Sequence, residues 1–226
     1  MAGRIIAITG AAGVLGRAVV EAAAAQGARL ALIDHAKDCP GPADAFIQTG
    51  VDLTDAAHAG AAIDAAAKRL GGLDVLLNIA GGFRWETLEG GSPDTWPSLY
   101  RLNVLTAANA SRAAIPHLKA SAAGRIVNVG SAAALKAGLG MGAYAASKAG
   151  VHALTQALAE ELKGAGVTVN AVLPSIIDTP ANRADMPDAD FSAWVAPADL
   201  AAVILFLASE AARPVTGALV PVTGRV

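Results

Sequence analysis

The feature that most constrains this chain lies near its start. Arg4 to Thr9 is a short apolar run rich in β-branched residues, Gly10-Ala-Ala-Gly13-Val-Leu-Gly16 follows, and a helical stretch runs from Arg17 to about Gln26. A strand that feeds a helix through a glycine turn is the first half of a β–α–β unit. Strands joined in this way lie parallel, and a parallel sheet must be covered on both faces. The alternation continues along the chain. Further strands are expected at Ala28–Ile33, Phe46–Val51, Leu73–Ile79, Arg125–Gly130, Val167–Leu173 and Thr216–Val222. Helices are expected from Thr54 to Leu70, over Pro93–Ala120, over Ala143–Lys163 and over Pro197–Ala208. Thr54 reads as the cap of its helix, with Asp55 in the first turn and Gly71-Gly72 as the stop. Together these signals predict a doubly wound α/β fold with a seven-stranded parallel sheet and helices on both faces.

Composition narrows the function classes. At 226 residues, one domain spanning 1–226 is expected, with no linker or internal repeat. Hydrophobic residues make up 54% of the chain, yet no apolar run reaches the ~20 residues that span a bilayer. The opening residues run straight into the glycine turn, which predicts no signal peptide. A net charge of −2 without basic clusters argues against nucleic acid. Cys39 is the only cysteine, so no internal disulfide forms. His35, His58, His117 and His152 are scattered without metal-ligand spacing, and no metal is expected. A soluble, cytoplasmic protein follows, with no membrane partner.

The glycine turn is a candidate dinucleotide site. Gly10, Gly13 and Gly16, with Leu15 among them, let backbone approach a pyrophosphate while the helix N-terminus supplies N–H groups and a positive dipole. Asp34, at the end of the second strand, lies 18 residues after Gly16, close to the ~20 expected for the acidic residue on an adenosine ribose. A carboxylate there accepts from ribose hydroxyls and repels a 2′-phosphate. His35 and Ala36 follow with no arginine to welcome that phosphate, though Arg17 can in principle reach it. NAD is therefore favoured over NADP.

The chemistry concentrates between Ser131 and Lys148. Ser131 follows a buried strand, a glycine-containing loop leads on, and Tyr144 and Lys148 are four residues apart, on one face of a helix. A phenol of pKa about 10 is a poor proton shuttle at neutral pH, and a nearby ammonium lowers that value. A serine hydroxyl alongside can hold the same substrate oxygen. The grouping suits carbonyl/alcohol interconversion if something else carries the hydride.

These residues, with their Ser and Tyr-x-x-x-Lys spacing, resemble the short-chain dehydrogenase/reductase family in its classical form, and the likeness covers nearly the whole chain. The resemblance implies a Rossmann-type fold and an NAD(P)-dependent oxidoreductase. In it Tyr144 is general acid/base, Lys148 lowers the phenol's pKa and holds the nicotinamide ribose, and Ser131 orients the substrate oxygen. Asn103, in Leu102-Asn103-Val104, matches the asparagine that supports the proton relay; Asn109 is the lesser candidate. Asp52 and the backbone of Leu53 match the adenine contact. Asn78-Ile79-Ala80-Gly81 is similar to the family's Asn-Asn-Ala-Gly, so Asn78, Ala80 and Gly81 belong to the cofactor site, with one bracing bond lost where Ile79 replaces asparagine. Pro174 to Pro180 resembles Pro-Gly-x-x-x-Thr, which places Pro174, Ile177 and Thr179 at the nicotinamide carboxamide. Ser175 stands for the usual glycine, so the turn there must suit serine. Middle glycine Gly13 stands one position earlier than in the commoner family spelling. The resemblance also implies a homotetramer or homodimer and a small carbonyl or alcohol substrate.

Two other readings stand beside this one. The short stretch from Thr179 to Trp194 is similar to the lid of dihydropteridine reductases, in which a quinonoid pterin takes the hydride. Phe83 and Trp85 can stack on a flat substrate, or else pack on a neighbouring helix or subunit. A non-enzymatic dinucleotide sensor would use the fold for binding alone.

Overall fold

The computed structural model describes residues 1–226. Its seven strands form one sheet with every neighbouring pair parallel: β1 (Ile5–Thr9), β2 (Arg29–Ile33), β3 (Phe46–Gln48), β4 (Val75–Asn78), β5 (Arg125–Val129), β6 (Thr168–Pro174) and β7 (Leu219–Val222), in spatial order β3-β2-β1-β4-β5-β6-β7. The chain winds outward from β1 to β3, then returns to place β4 on the other side of β1. That reversal opens a crevice at the carboxyl ends of β1 and β4.

Helices α1 (Val14–Ala25) and α7 (Pro197–Ala208) cover one face; α2 (Ala56–Leu70), α4 (Thr106–Ala120) and α5 (Gly142–Leu162) cover the other. Strand residues alternate between the two cores. Ile6, Ile8, Leu30, Leu32, Val75 and Leu77 face α1 and α7, while Ile5, Ala7, Ala31, Ile33 and Leu76 face the opposite layer. Alanine at the α2–α4 contact (Ala59, Ala62, Ala66, Ala110 and Ala114, all buried) brings these two helices close over the sheet. No helix is long and apolar enough to cross a membrane.

Register sets the height of everything that follows. Thr9 pairs with Ile33 and with Asn78, and Asn78 pairs with Asn128. The next residues of each strand therefore emerge along one edge of the sheet: Gly10, Asp34, Ile79 and Val129.

Several boundaries differ from the sequence expectation: β3 ends at Gln48 rather than Val51, β4 spans Val75–Asn78 rather than Leu73–Ile79, and β7 begins at Leu219 rather than Thr216. Helix α1 starts at Val14, with Gly13 as its N-cap and no side-chain cap. Helix α2 is capped by Asp55, not Thr54: Asp55 Oδ1 accepts from the Ala57 and His58 amides at 2.8 and 2.9 Å, while Thr54 is held by Asp52. The single helix expected over 93–120 is instead α3 (Thr95–Tyr100), a π-helical turn (Arg101–Leu105) and α4.

Candidate active site

Ser131, Tyr144, Lys148 and Asn103 converge at the carboxyl edge of the sheet. Ser131 is 4% exposed and lies two residues past β5. Its hydroxyl accepts from the Ala133 amide at 3.2 Å and stands near enough to the Tyr144 phenol to lower its pKa. Tyr144, half-buried in the first turn of α5, meets the Phe83 ring edge-on with centroids 4.8 Å apart. Phe83 is therefore a wall of this site, and half of its surface stays exposed. Trp85 lies against Gly140 with no room for a Cβ there, and the Glu86 amide donates to the Gly140 carbonyl at 2.8 Å. The loops after β4 and before α5 are locked together in this way.

Asn103 occupies the π-helical turn and is 1% exposed. Its Oδ1 accepts from the Gly82 amide at 2.9 Å, and its Nδ2 donates to the Gly82 carbonyl and to Ser147 Oγ at 3.0 and 2.9 Å. A Cβ on Gly81 would lie 2.6 Å from Asn103 Oδ1 and 3.4 Å from Lys148 Nζ, so only glycine lets this loop sit on both. Asn109 points elsewhere: its Nδ2 donates to the carbonyls of Leu53 and Thr54, fastening the β3–α2 loop to α4.

One expectation is corrected here. Lys148 was expected to lower the phenol's pKa. Instead burial holds the Tyr144 phenol above its ordinary value, offset in part by the nearby Ser131 hydroxyl, and Lys148 makes no contribution. The Lys148 ammonium donates to the Val129 carbonyl at 2.8 Å, and its burial lowers its own pKa to about 8. Spacing puts the two residues on one face but does not choose the acceptor that the ammonium finds.

Sequence reasoning also passed over His152. It lies one turn beyond Lys148 on the same face of α5, 6% exposed, and its Nε2 accepts from the Ser131 amide at 3.3 Å. Recurrence of polar residues at 144, 148 and 152 was the available signal.

The crevice between β1 and β4 is built for close backbone approach. Gly10 has φ +67°, and a Cβ on it would lie 2.7 Å from the Ala80 nitrogen; a Cβ on Gly16 would run into the Gly10 carbonyl and Ala11. Gly13 and Val14 are exposed at the uncapped start of α1, while Leu15 is buried against the sheet. Asp34 stands beside this turn. Its Oδ2 accepts from the Ala12 amide and its Oδ1 from the Ala36 amide, both at 2.8 Å. Arg17 is turned to the Ala12 carbonyl at 2.9 Å. Thr9 Oγ1 accepts from the Ile79 and Ala80 amides, and so takes up the bracing of the stretch where Ile79 replaces asparagine. Asn78 Nδ2 donates to Asn128 Oδ1 and Ser111 Oγ, within the sheet rather than toward the crevice, and its Oδ1 has no partner. Asp52 Oδ1 accepts from the Thr54 amide and hydroxyl, which hold the carboxyl below its usual range.

Past β6, Ser175 has no positive φ and its hydroxyl donates to the Thr223 carbonyl. Thr179 Oγ1 caps α6 (Pro180–Asp185) at the Asn182 amide, and the Ile177 carbonyl accepts from Asn182 Nδ2 at 2.7 Å. Arg183 pairs with Asp178 through two bonds of 2.6 and 2.7 Å and lies 4.7 Å over the Phe191 ring. The segment from Ile177 to Phe191 is thus internally tied.

Such a sheet, with its crevice at the switch point and Ser131, Tyr144 and Lys148 beside it, has the architecture of a nucleotide-binding α/β enzyme. The family model for short chain dehydrogenases matches residues 4–190, and the chain belongs to that family. It is an NAD(P)-dependent oxidoreductase acting on CH–OH or C=O groups. It is 30% identical to a 3-oxoacyl-(acyl-carrier-protein) reductase of Thermotoga maritima, over 98% of this chain and 97% of that one. Among solved structures it is similar to the ligand-free aldohexose dehydrogenase of Thermoplasma acidophilum, with a TM-score of 0.89, 28% identity and coverage of 99% and 93%. It is also similar to carveol dehydrogenase from Mycobacterium avium in complex with NAD, with a TM-score of 0.86, 28% identity and coverage of 99% and 97%.

Proposed function

We propose that this enzyme interconverts a small carbonyl compound and its alcohol with Tyr144 as the proton-transfer group, and that it prefers NAD to NADP. The observation that carries the reading is the close approach of Ser131 to Tyr144 beside buried Lys148 at the crevice edge. A dinucleotide fits the crevice: the uncapped start of α1 offers free amides to a pyrophosphate, and Gly10 and Gly16 leave no Cβ in the way. Asp34, with further lone pairs beyond its two amide partners, is the acceptor for ribose hydroxyls, and its charge disfavours a 2′-phosphate. Asp52, Leu53, Ala80, Gly81, Pro174, Ile177 and Thr179 line the remainder of the path. When bound, the nicotinamide supplies or accepts the hydride.

The chain's own residues handle the proton. A phenol held above its ordinary pKa is fully protonated at neutral pH, so Tyr144 donates its proton to the carbonyl oxygen in reduction. Oxidation needs the phenolate, so its rate should climb as pH rises. Ser131 holds the substrate oxygen, and Lys148 and Asn103 connect the phenol to the proton supply. Phe83 and Trp85 give the entrance an apolar wall.

The test is turnover of NADH and NADPH across a panel of ketones, 3-oxo esters and quinonoid dihydropterin, with the parent and Tyr144→Phe. Carbonyl reduction should fall at least a hundredfold in the variant; undiminished turnover would sink the reading. The pterin alternative draws on the Phe83 surface beside Tyr144 and separates through Ser131→Ala, which should abolish ketone reduction and spare pterin reduction. We also assign self-association, as dimer or tetramer, to the half-exposed Trp96, Tyr100 and Leu102 around α3, to be checked by analytical ultracentrifugation.

A further inference from the structure

We infer that His152 is a positioning residue for Ser131, holding it to the helix that carries Tyr144. The inference rests on the catalytic reading above, because it matters only if Ser131 and Tyr144 act together.

Ser131 sits past the end of β5, where the sheet no longer fixes it. Two side chains of α5, one turn apart, take over. Lys148 Nζ donates to the Val129 carbonyl at 2.8 Å, and His152 Nε2 accepts from the Ser131 amide at 3.3 Å. Between them Gly130 donates its amide to Val172 of β6. A Cβ on Gly130 would stand 2.5 Å from His152 Nε2 and 2.7 Å from Cδ2, so the strand end and the imidazole approach as closely as glycine permits. The serine and the tyrosine are thus both referenced to one helix, at residues two turns apart. Without the imidazole, the Ser131 amide is a buried donor with no partner, and the serine is free to shift.

The acceptor role requires a neutral ring with its proton on Nδ1. The site provides for this, since burial and the neighbouring Lys148 ammonium both disfavour the imidazolium. His117, by contrast, is paired with Asp64 on the outer surface of α2 and α4.

The test compares His152→Gln, whose Oε1 can reach the place of Nε2, with His152→Asn, which is too short, and His152→Leu, which has no acceptor. Each is read in two ways. The first is NADH-dependent reduction of the fastest carbonyl of the panel. Asn and Leu should lose roughly ten- to hundredfold in kcat with NADH affinity within twofold, and Gln should recover most of the loss. The second needs no turnover. The chain has two tyrosines, and Tyr100 is the half-exposed internal control. Carbon-13 NMR of ring-labelled tyrosine in the ligand-free protein should show the Tyr144 titration moving up by about half a pH unit in the Asn and Leu variants as the Ser131 hydroxyl moves away, with Tyr100 unmoved and Gln near parental. Equal behaviour of Gln and Asn in both measurements overturns the inference, even if the Leu variant does not fold. If Tyr144→Phe keeps its activity, the catalytic reading falls instead; if Tyr144→Phe is dead and every His152 variant matches the parent, only the present inference falls.

Discussion

Replacing Lys148 with methionine measures what it costs to bury an ammonium at the centre of this site. Lys148 is 6% exposed, its Nζ rests on the Val129 carbonyl, and burial brings its pKa from an ordinary 10.5 to about 8. Since the folded value lies below the unfolded one, the unfolded chain binds more protons between the two, and stability rises as pH climbs through that window. The gap, at 1.36 kcal/mol per pH unit, amounts to about 3 kcal/mol, of which about 2.5 kcal/mol is regained between pH 7 and pH 10. Lys148→Met has no such group. The stability of the parent should therefore gain on that of the variant by about 2.5 kcal/mol over this range. Urea unfolding of both ligand-free proteins at pH 7, 8, 9 and 10, with a shared m-value, gives the comparison directly. Two curves that stay parallel would refute the reasoning, because they would mean that the ammonium is solvated in the folded protein.

Three further outcomes follow from the same geometry. Gly16→Ala pushes a methyl into the Gly10 carbonyl and Ala11, and should cost about 1–3 kcal/mol in urea unfolding while weakening NADH binding in a fluorescence titration. Asp34→Ala removes the charge that opposes a 2′-phosphate and frees the Ala12 and Ala36 amides; the ratio of kcat/KM for NADH over NADPH should drop at least tenfold, and a parent enzyme that already prefers NADPH would defeat this. Asn109→Ala releases the Leu53 and Thr54 carbonyls and should cost about 1–2 kcal/mol of stability with kcat unchanged, which steady-state kinetics and unfolding will separate from the large loss expected at Asn103.

The sheet was legible in the sequence because strands buried on both faces, such as β1 and β4, are rich in apolar residues, and each of the seven expected runs corresponds to a strand. Helix α7 matches its expected bounds, Pro197 to Ala208, because proline at the start and the polar Ser209 beyond leave little choice. The cap of α2 was misplaced by one residue since Thr54 and Asp55 are both good caps, and the deciding fact, that Asp52 captures the Thr54 hydroxyl, is a matter of loop geometry. The Ser131, Tyr144 and Lys148 grouping was legible through the family resemblance, since a tyrosine and a lysine four residues apart also occur on many solvated helices. The direction of the phenol's pKa was not, because it depends on how deeply the ring is buried and on which carbonyl the lysine reaches. The role of His152 was not legible, because it depends on how closely the end of β5 approaches α5.

The π-helical turn at Arg101–Leu105 carries one residue more than an α-helix would need to cover the same rise. Taking out a single amino acid there would leave a perfectly good helix. It would also re-space the side chains within that turn and carry Asn103 off the Gly82 backbone. A shortened protein of this kind should fold, melt much as its parent does, and have no working site, so the stretch least constrained by helix formation is among the most constrained by function.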